Sequence, residues 1–353
     1  MASIKDVARK AGVSISTVSN VINNNKPVSP ELRERVEKAI KDLNYKVNPV
    51  ARGLKSRKTN QIGVILTSFS RIFFPLVLKG IQETAVKYGY SVCVYESDEN
   101  IEKEKAYIKL LENSWVDGII LASCANVNVE EDKDYLHKLA NLGSKHKKIP
   151  VVSIERTLGN GVTDAVLIDN RKAAYTAVKH LIDLGHKYIA HIAAPLKFPM
   201  GAHRLEGYKD ALLEANIEID EDLIKEGDYT PVSGYNAMRQ LLLKEKLITA
   251  VFAGNDQMAI GAIKAIREAG LKIPEDIAVI GFDNVFPGSI ISPSLSSINV
   301  PRYKMGAEAM DILHHKISNP EDTQRSVITL ETRLIVRQST DLRGDNTWDF
   351  YGW

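Results

Sequence analysis

The chain has 353 residues, with 46 Lys+Arg against 44 Asp+Glu, 44% hydrophobic residues and two cysteines. That size accommodates two or three domains around a large core. The hydrophobic share excludes a disordered or collagen-like chain, and no apolar run approaches the roughly 18 residues of a membrane span. The near-neutral total conceals a division. Residues 1–60 carry 13 basic and 5 acidic side chains, a balance of +8, while the remainder carries 33 against 39, a balance of −6. A basic head on an acidic body predicts a polyanion as the partner of the head. The opening Met1-Ala2-Ser3-Ile4-Lys5-Asp6 has no apolar stretch of signal-peptide type, so a cytoplasmic location is expected. Cys93 and Cys124 lie in apolar runs without metal-ligand spacing and are expected as reduced core thiols.

The first helix is expected to start at an N-cap Ser3, with Asp6 near its positive end and Ile4, Val7, Ala8 and Ala11 on one face. Gly12-Val13-Ser14 breaks it: Gly12 suits the left-handed conformation of a tight turn and Ser14 can cap the next helix. In that second helix Val18, Val21 and Ile22 form an apolar face. Ile15, Ser16, Thr17, Ser19 and Asn20 lie opposite. Ser29-Pro30-Glu31 reads as N-cap, N1 and first-turn acid of a third helix, buried through Leu32, Val36, Ile40 and Leu43. Two short helices joined at a glycine and locked by a third make a helix-turn-helix, whose second helix fits the major groove of double-stranded DNA. A bland three-helix bundle is the alternative. Short polar groups on the free face, flanked by Lys5, Arg9, Lys10, Lys26 and Arg33 for phosphates, favour DNA.

The run Ile4-Lys5-Asp6-Val7-Ala8-Arg9-Lys10-Ala11-Gly12-Val13-Ser14, then Ser16-Thr17-Val18-Ser19-Asn20-Val21-Ile22-Asn23, closely resembles the head of LacI/GalR-family transcriptional regulators. So do Leu43-Asn44-Tyr45 and Asn48-Pro49-Val50-Ala51-Arg52-Gly53-Leu54, and the resemblance continues to residue 340. It implies DNA contacts from Ser14, Ile15, Ser16, Thr17, Ser19, Asn20 and Asn23, with positions 15, 16 and 20 facing base edges. This chain has Ile15 and Asn20 where the family often has polar or aromatic residues and Arg. Ile15 offers only contact with a thymine methyl or exclusion of water, and Asn20 suits adenine, so an A·T-leaning operator is expected there. The resemblance also implies a hinge helix over Asn48–Lys55 that folds when two subunits sit on DNA, with Leu54 wedged into a minor-groove base step. Gly53 costs such a helix about 1 kcal/mol relative to Ala, which keeps it easily switched. A plain basic linker is the alternative.

From residue 61 apolar runs alternate with amphipathic stretches. Strands are expected at Ile62–Thr67, Ser91–Tyr95, Gly118–Ala122, Val151–Ile154, Ile189–Ala193, Thr249–Ala253 and Ala278–Gly281. Helices are expected over 74–88, 101–113, 171–184, 203–215, 233–245 and 257–269, with Gly89, Gly185 and Gly270 as terminators. The alternation predicts parallel sheets covered on both faces. The fold class is thus α/β, an all-α helix-turn-helix head on a core for which the resemblance implies two periplasmic-binding-protein-like subdomains. It also implies three chain crossings, near 166–169, 296–300 and 328–332. The expected domains are a head over 1–47, a hinge and linker over 48–60, an effector-binding core over 61–340 and a tail over 341–353. Within the core, the N-subdomain takes about 61–167 and 299–329 and the C-subdomain about 168–298 and 330–340.

Ligands of open parallel sheets bind beyond the carboxyl ends of strands. Phe73, Phe74, Phe198, Arg204, Tyr229, Asn255 and Asp283 follow such ends and are the effector candidates: aromatic faces and planar hydrogen-bonding groups that suit a small polar molecule, sugars above all. The resemblance matches Arg204, Asn255 and Asp283 to effector contacts and Tyr229 to an aromatic wall. Structural alternatives stand beside each: Phe74 as core, Asn255 and Asp256 as helix caps, Asp283 as a turn residue, Arg204 in an ion pair. Glu155, Arg156 and Asp169 read as a structural charge network at the cleft edge. Phe198 and Met200 put little hydrogen-bonding capacity into their loop, which favours carbohydrate over nucleobase.

No GxGxxG after a strand, GxxxxGK[ST], GxSxG or HExxH occurs. The histidines are scattered, with His314-His315 expected on an exposed helix, so no enzymatic activity, metal or cofactor is expected. The resemblance implies that tetramers would use a C-terminal leucine heptad; the tail has none, so a homodimer is expected. The leading expectation is a ligand-responsive DNA-binding regulator, and of repressor type. A cytosolic solute-binding protein is the rival, but it leaves the head and hinge unexplained.

Overall fold

The computed structural model describes residues 2–23, 26–45, 58–126, 129–144, 147–158, 163–244 and 247–344. It divides into two compact units, Met1–Thr59 and Asn60–Trp353. The expected hinge helix with Leu54, the side chain of Asn23 and the aromatic end of the tail lie outside the described residues.

In the first unit, helices span Ile4–Ala11, Ile15–Asn23 and Pro30–Asp42. Ser3 and Asp6 form a reciprocal capping box, with the Asp6 amide donating to Ser3 Oγ at 3.4 Å and the Ser3 amide to Asp6 Oδ2 at 2.9 Å. Gly12 takes the left-handed conformation at φ 63°. Its missing side chain also leaves room for Arg35, whose Nη2 donates to the carbonyls of Ala11 at 2.7 Å and Gly12 at 3.3 Å. The third helix therefore closes the C-terminus of the first, a contact that helical periodicity does not reveal. Ser29 precedes Pro30 but makes no side-chain capping bond, contrary to expectation. Val7, Ala8, Ala11, Val18, Val21, Val36 and Ala39 form the core, with Ile4, Ile22, Ile40 and Leu43 packed against it.

The second unit holds two six-stranded sheets. The first runs Val327–Leu330, Asp164–Ile168, Val151–Ile154, Gly118–Leu121, Gln61–Leu66, Ser91–Glu96, and every pair is parallel. The second runs Arg333–Ile335, Ser296–Asn299, Ala278–Asp283, Ala250–Ala253, Ile189–Ala193, Ile224–Glu226, parallel except for its first strand. The chain thus leaves the first sheet after Ile168, returns to it at Val327 and leaves it again after Leu330. Central strands are fully buried apolar runs, as helices on both faces require. The strands at 164–168, 224–226, 296–299, 327–330 and 333–335 were not expected from the sequence.

Glycine sets how closely the covering helices approach. A Cβ at Gly80 would strike the Tyr303 carbonyl, and one at Gly306 the Val77 carbonyl, so helices Phe74–Lys87 and Arg302–Ser318 touch backbone to backbone. Gly234 and Gly261 do the same between Pro231–Leu242 and Asp256–Glu268, against the carbonyls of Met258 and Pro231. His314 is not exposed as expected: its ring stacks on Tyr88 at 3.8 Å, and only His315 faces solvent. Cys124 is buried as expected, whereas Cys93 is half-buried in an edge strand.

Candidate functional site

Two surfaces carry the candidate residues. In the head, the start of the second helix is open to solvent. Ser14 Oγ accepts from the Thr17 amide at 3.1 Å and lies 2.7 Å from Ser16 Oγ and 2.9 Å from Thr17 Oγ1, so three hydroxyls are clustered over the first turn. Ile15 is 45% exposed beside them, a large aliphatic side chain with no burial to account for it. Ser19 and Asn20 are half-buried, while Val18 and Val21 point into the core. Of the expected phosphate-contacting residues, Lys5 and Lys26 are exposed, Arg9 lies 3.8 Å from Asp6, Lys10 pairs with Asp42 at 3.0 Å and Arg33 lies 3.9 Å from Glu37. These exposed pairs are weak and exchange readily for phosphate.

In the second unit, loops beyond the carboxyl ends of both sheets meet. Gln257 bridges them, accepting from the Ile72 amide at 3.0 Å and donating to the Ser70 carbonyl at 3.2 Å. At the centre is Arg71, which the sequence reading passed over. Its Nη2 donates to Glu155 Oε1 at 3.0 Å, and its guanidinium lies 4.3 Å from the Tyr229 ring centroid, 4.9 Å from that of Phe74 and 5.6 Å from that of Phe73. The candidate aromatic wall is thus assembled around an arginine of the chain itself. Glu155, Tyr229 and Asp283 have left-handed φ values of 69°, 71° and 101°. Such conformations cost non-glycine residues about 1–3 kcal/mol each and collect at functional sites.

Arg204 is buried on the second sheet. Its Nε donates to Asn170 Oδ1 at 2.9 Å and its Nη1 to the Gly254 carbonyl at 2.5 Å, it stacks on Phe282 at 3.7 Å, and its Nη2 lies 4.0 Å from Asp283 Oδ1. Asn255 caps helix Asp256–Glu268 through the Met258 amide at 2.9 Å, and its Nδ2 donates to the Tyr229 carbonyl at 3.1 Å. Both of its polar atoms are used within the chain, as the capping alternative foresaw. Asp169 likewise caps helix Asn170–Asp183 through the Lys172 amide at 2.9 Å.

The electrostatics follow from burial. Desolvation would lower the Arg71 pKa, but Glu155, Tyr229 and Asp283 together outweigh it and hold the guanidinium charged. Burial raises Asp283, against the opposing pull of Arg204, Arg71 and Arg302. It pushes Asp256 up to about 7, helped by the neighbouring Asp283 and resisted by hydrogen bonds from Ser297 and the Val285 amide. Because that folded value exceeds the unfolded one, near 4, Asp256 stabilises the fold at low pH, and its contribution disappears as pH rises through about 7. Asp256→Asn lacks this titration. Its stability relative to wild type, read by urea unfolding, is expected to improve between about pH 5 and about pH 8; a pH-independent difference would contradict the assignment.

Beside this cluster is a cavity of about 370 Å³, lined among others by Arg156, Asp169, Pro199, Met200, His203 and Thr329. None of the effector candidates lines it; Phe198 and Arg204 are chain neighbours of residues that do. Buried Tyr229 Oη, Asp283 Oδ1 and Arg156 Nη1 have no hydrogen-bond partner among the described residues. Arg71 could have been found from sequence as an arginine five residues beyond a strand's carboxyl end; Arg156 was expected in a charge network with Glu155 and Asp169, but Glu155 holds Arg71 and Asp169 caps a helix.

Residues 3–48 match the model of the bacterial regulatory proteins, lacI family, and residues 178–340 that of the periplasmic binding protein-like domain. The chain is 38% identical to the HTH-type transcriptional repressor PurR of Histophilus somni, over 96% of this chain and 99% of that protein. Among solved structures, the lac repressor dimer bound to operator and the anti-inducer ONPF matches at TM-score 0.82 and 29% identity, covering 96% of this chain and 99% of that one. The transcriptional regulator CelR in complex with cellobiose matches at TM-score 0.70 and 32% identity, covering 96% of this chain and 100% of that one. With its helix-turn-helix head, its two-sheet core and a relative this similar over nearly its whole length, the chain belongs to the LacI family of DNA-binding transcriptional regulators.

Proposed function

We propose that the protein is a cytoplasmic, non-enzymatic repressor that binds a pseudo-palindromic operator as a homodimer and is controlled by a small molecule, a sugar or sugar derivative, held between the two sheets. The observation that carries the ligand-binding part of this reading is that, among the described residues, buried Tyr229 Oη, Asp283 Oδ1 and Arg156 Nη1 lack hydrogen-bond partners. Buried polar groups are usually satisfied, so three such atoms near the loops where the two sheets' strand ends meet support a ligand there. Aromatic rings of Phe73, Phe74, Phe198 and Tyr229 with the carboxylate of Asp283 suit a hydroxylated ligand. The cellobiose bound by CelR and the operator bound by the lac repressor dimer support the same reading.

In this account 1–47 is the head, 48–60 the hinge, 61–340 the effector core and 341–353 a tail. Ser14, Ile15, Ser16, Thr17, Ser19, Asn20 and Asn23 meet the major groove, and Leu54 enters the minor groove. The ligand switches DNA binding only through a difference in affinity between two arrangements of the core, which fold or release the hinge. Leu54→Ala is expected to weaken operator binding at least about tenfold, since it removes the wedge that holds a kinked base step. Fluorescence anisotropy with a labelled operator measures this, with ligand binding unchanged by calorimetry. Unchanged operator affinity would contradict the hinge assignment.

A further inference from the structure

We propose that the small molecule received by the cleft carries an anionic group, a phosphate or a carboxylate, that docks on Arg156. This rests on the reading that the cleft binds a small molecule and names that molecule's chemistry. Other arginines of the site have partners: Arg71 holds Glu155, and Arg204 holds Asn170 and the Gly254 carbonyl. Arg156 is only 6% exposed, makes no hydrogen bond or ion pair among the described residues, and has the Phe198 ring as its neighbour at 5.2 Å. Glu104 and Glu155 act on it through their charge, but neither hydrogen-bonds to it. Glu104 accepts from Ser123 Oγ at 2.7 Å, the Cys124 amide at 2.7 Å and Tyr135 Oη at 2.8 Å, and Glu155 holds Arg71.

A buried guanidinium whose Nη1 has no hydrogen-bond partner is unfavourable, and an anionic ligand would supply the missing acceptor. Of the charged side chains lining the cavity, Glu155 is held by Arg71 and Asp169 by the Lys172 amide, whereas Arg156 has no hydrogen bond among the described residues. Arg156 and His203 line the cavity of about 370 Å³, as do Pro199 and Met200 at the start of helix Pro199–Glu214. That N-terminus carries the positive end of the helix dipole, and Phe198 at its N-cap offers no side-chain oxygen to the first amides. Helix Asn170–Asp183, at the same cavity, is by contrast capped by Asp169. The guanidinium fork fits phosphate and carboxylate alike.

The test uses the full chain as wild type, Arg156→Gln, Arg156→Lys and Arg156→Met. Melting temperature is read in inorganic phosphate against chloride at equal ionic strength. Calorimetry then compares neutral hexoses and disaccharides with their phosphates and with uronic acids, which separates phosphate from carboxylate. Phosphate is expected to raise the melting temperature of wild type and not of Arg156→Gln. An anionic sugar is expected to bind wild type at least about tenfold tighter than its neutral parent, an advantage lost in Arg156→Gln and partly kept in Arg156→Lys. Arg156→Met, which removes the guanidinium with its unsatisfied Nη1 and keeps the bulk, is expected to melt higher than wild type without ligand; an arginine that serves only to offset Glu104 and Glu155 predicts the reverse. Equal binding of neutral and anionic sugars, or equal phosphate shifts in wild type and Arg156→Gln, would overturn the anion site and leave the cleft reading intact. No shift and no binding by any probe would overturn both.

Discussion

Replacing Glu155 by alanine destabilises the ligand-free protein by about 3–5 kcal/mol, the range for breaking a buried ion pair from one side. Arg71 and Glu155 are 8% and 6% exposed at their side chains and 3.0 Å apart. Their attraction offsets two desolvation penalties, and removing the carboxylate leaves the guanidinium enclosed by Phe73, Phe74 and Tyr229 without its counter-charge. The chain can relieve this by parting the loops that Gln257 holds together and letting water reach Arg71. The loss should therefore come with a more open core, visible as a larger radius of gyration in small-angle scattering. The double variant Arg71→Met with Glu155→Gln should lose less than the sum of the singles, because the pair acts as a unit. Additive losses in urea unfolding would contradict the coupling.

Alanine at Gly261 or Gly306 is expected to cost about 1–3 kcal/mol or more, as overpacking does. The added methyl group would meet the backbone carbonyls of Pro231 or Val77, which cannot turn aside as a side chain does, so whole helices must separate. Gly89 supplies the contrast. It has φ +76° and nothing near its missing Cβ, so Gly89→Asn, which tolerates left-handed backbone, should cost well under the cost at Gly261. Similar thermal shifts at the two positions would show that backbone conformation and not helix approach decides these glycines.

The parts of the fold that were legible share a cause: strong local signals. Ser3, Asp6 and Gly12 bound the first helix by capping chemistry, and the apolar runs at 62–66, 151–154 and 189–193 have no alternative to a buried strand. Ser296-Ser297-Ile298-Asn299 gives no such signal. Its backbone pairs between 280–283 and 333–335. Its serines can be buried there because Ser296 Oγ finds the Arg337 carbonyl at 3.0 Å and Ser297 Oγ finds Asp256 at 2.6 Å, partners about forty positions away that periodicity cannot supply. The site divides in the same way. Phe74, Tyr229, Arg204 and Asp283 follow strand ends and come close to the cleft's centre, whereas Asn255 is spent on a cap. Arg71 was passed over because it lies in a polar loop and its role exists only once Glu155, 84 positions later, folds beside it. The unsatisfied Nη1 of Arg156 is likewise visible only once the neighbouring carboxylates are seen to accept from other groups.

We propose that DNA binding by the head answers to a ligand in the core. Operator selection measures it most directly: the full chain is bound to a random duplex library, the retained DNA is sequenced, and the selection is repeated with neutral and phosphorylated sugars. The account predicts a palindromic consensus whose recovery changes with one compound or a few of a kind. No enriched sequence under any condition, together with tight sugar binding, would contradict it and leave a solute-binding protein in its place.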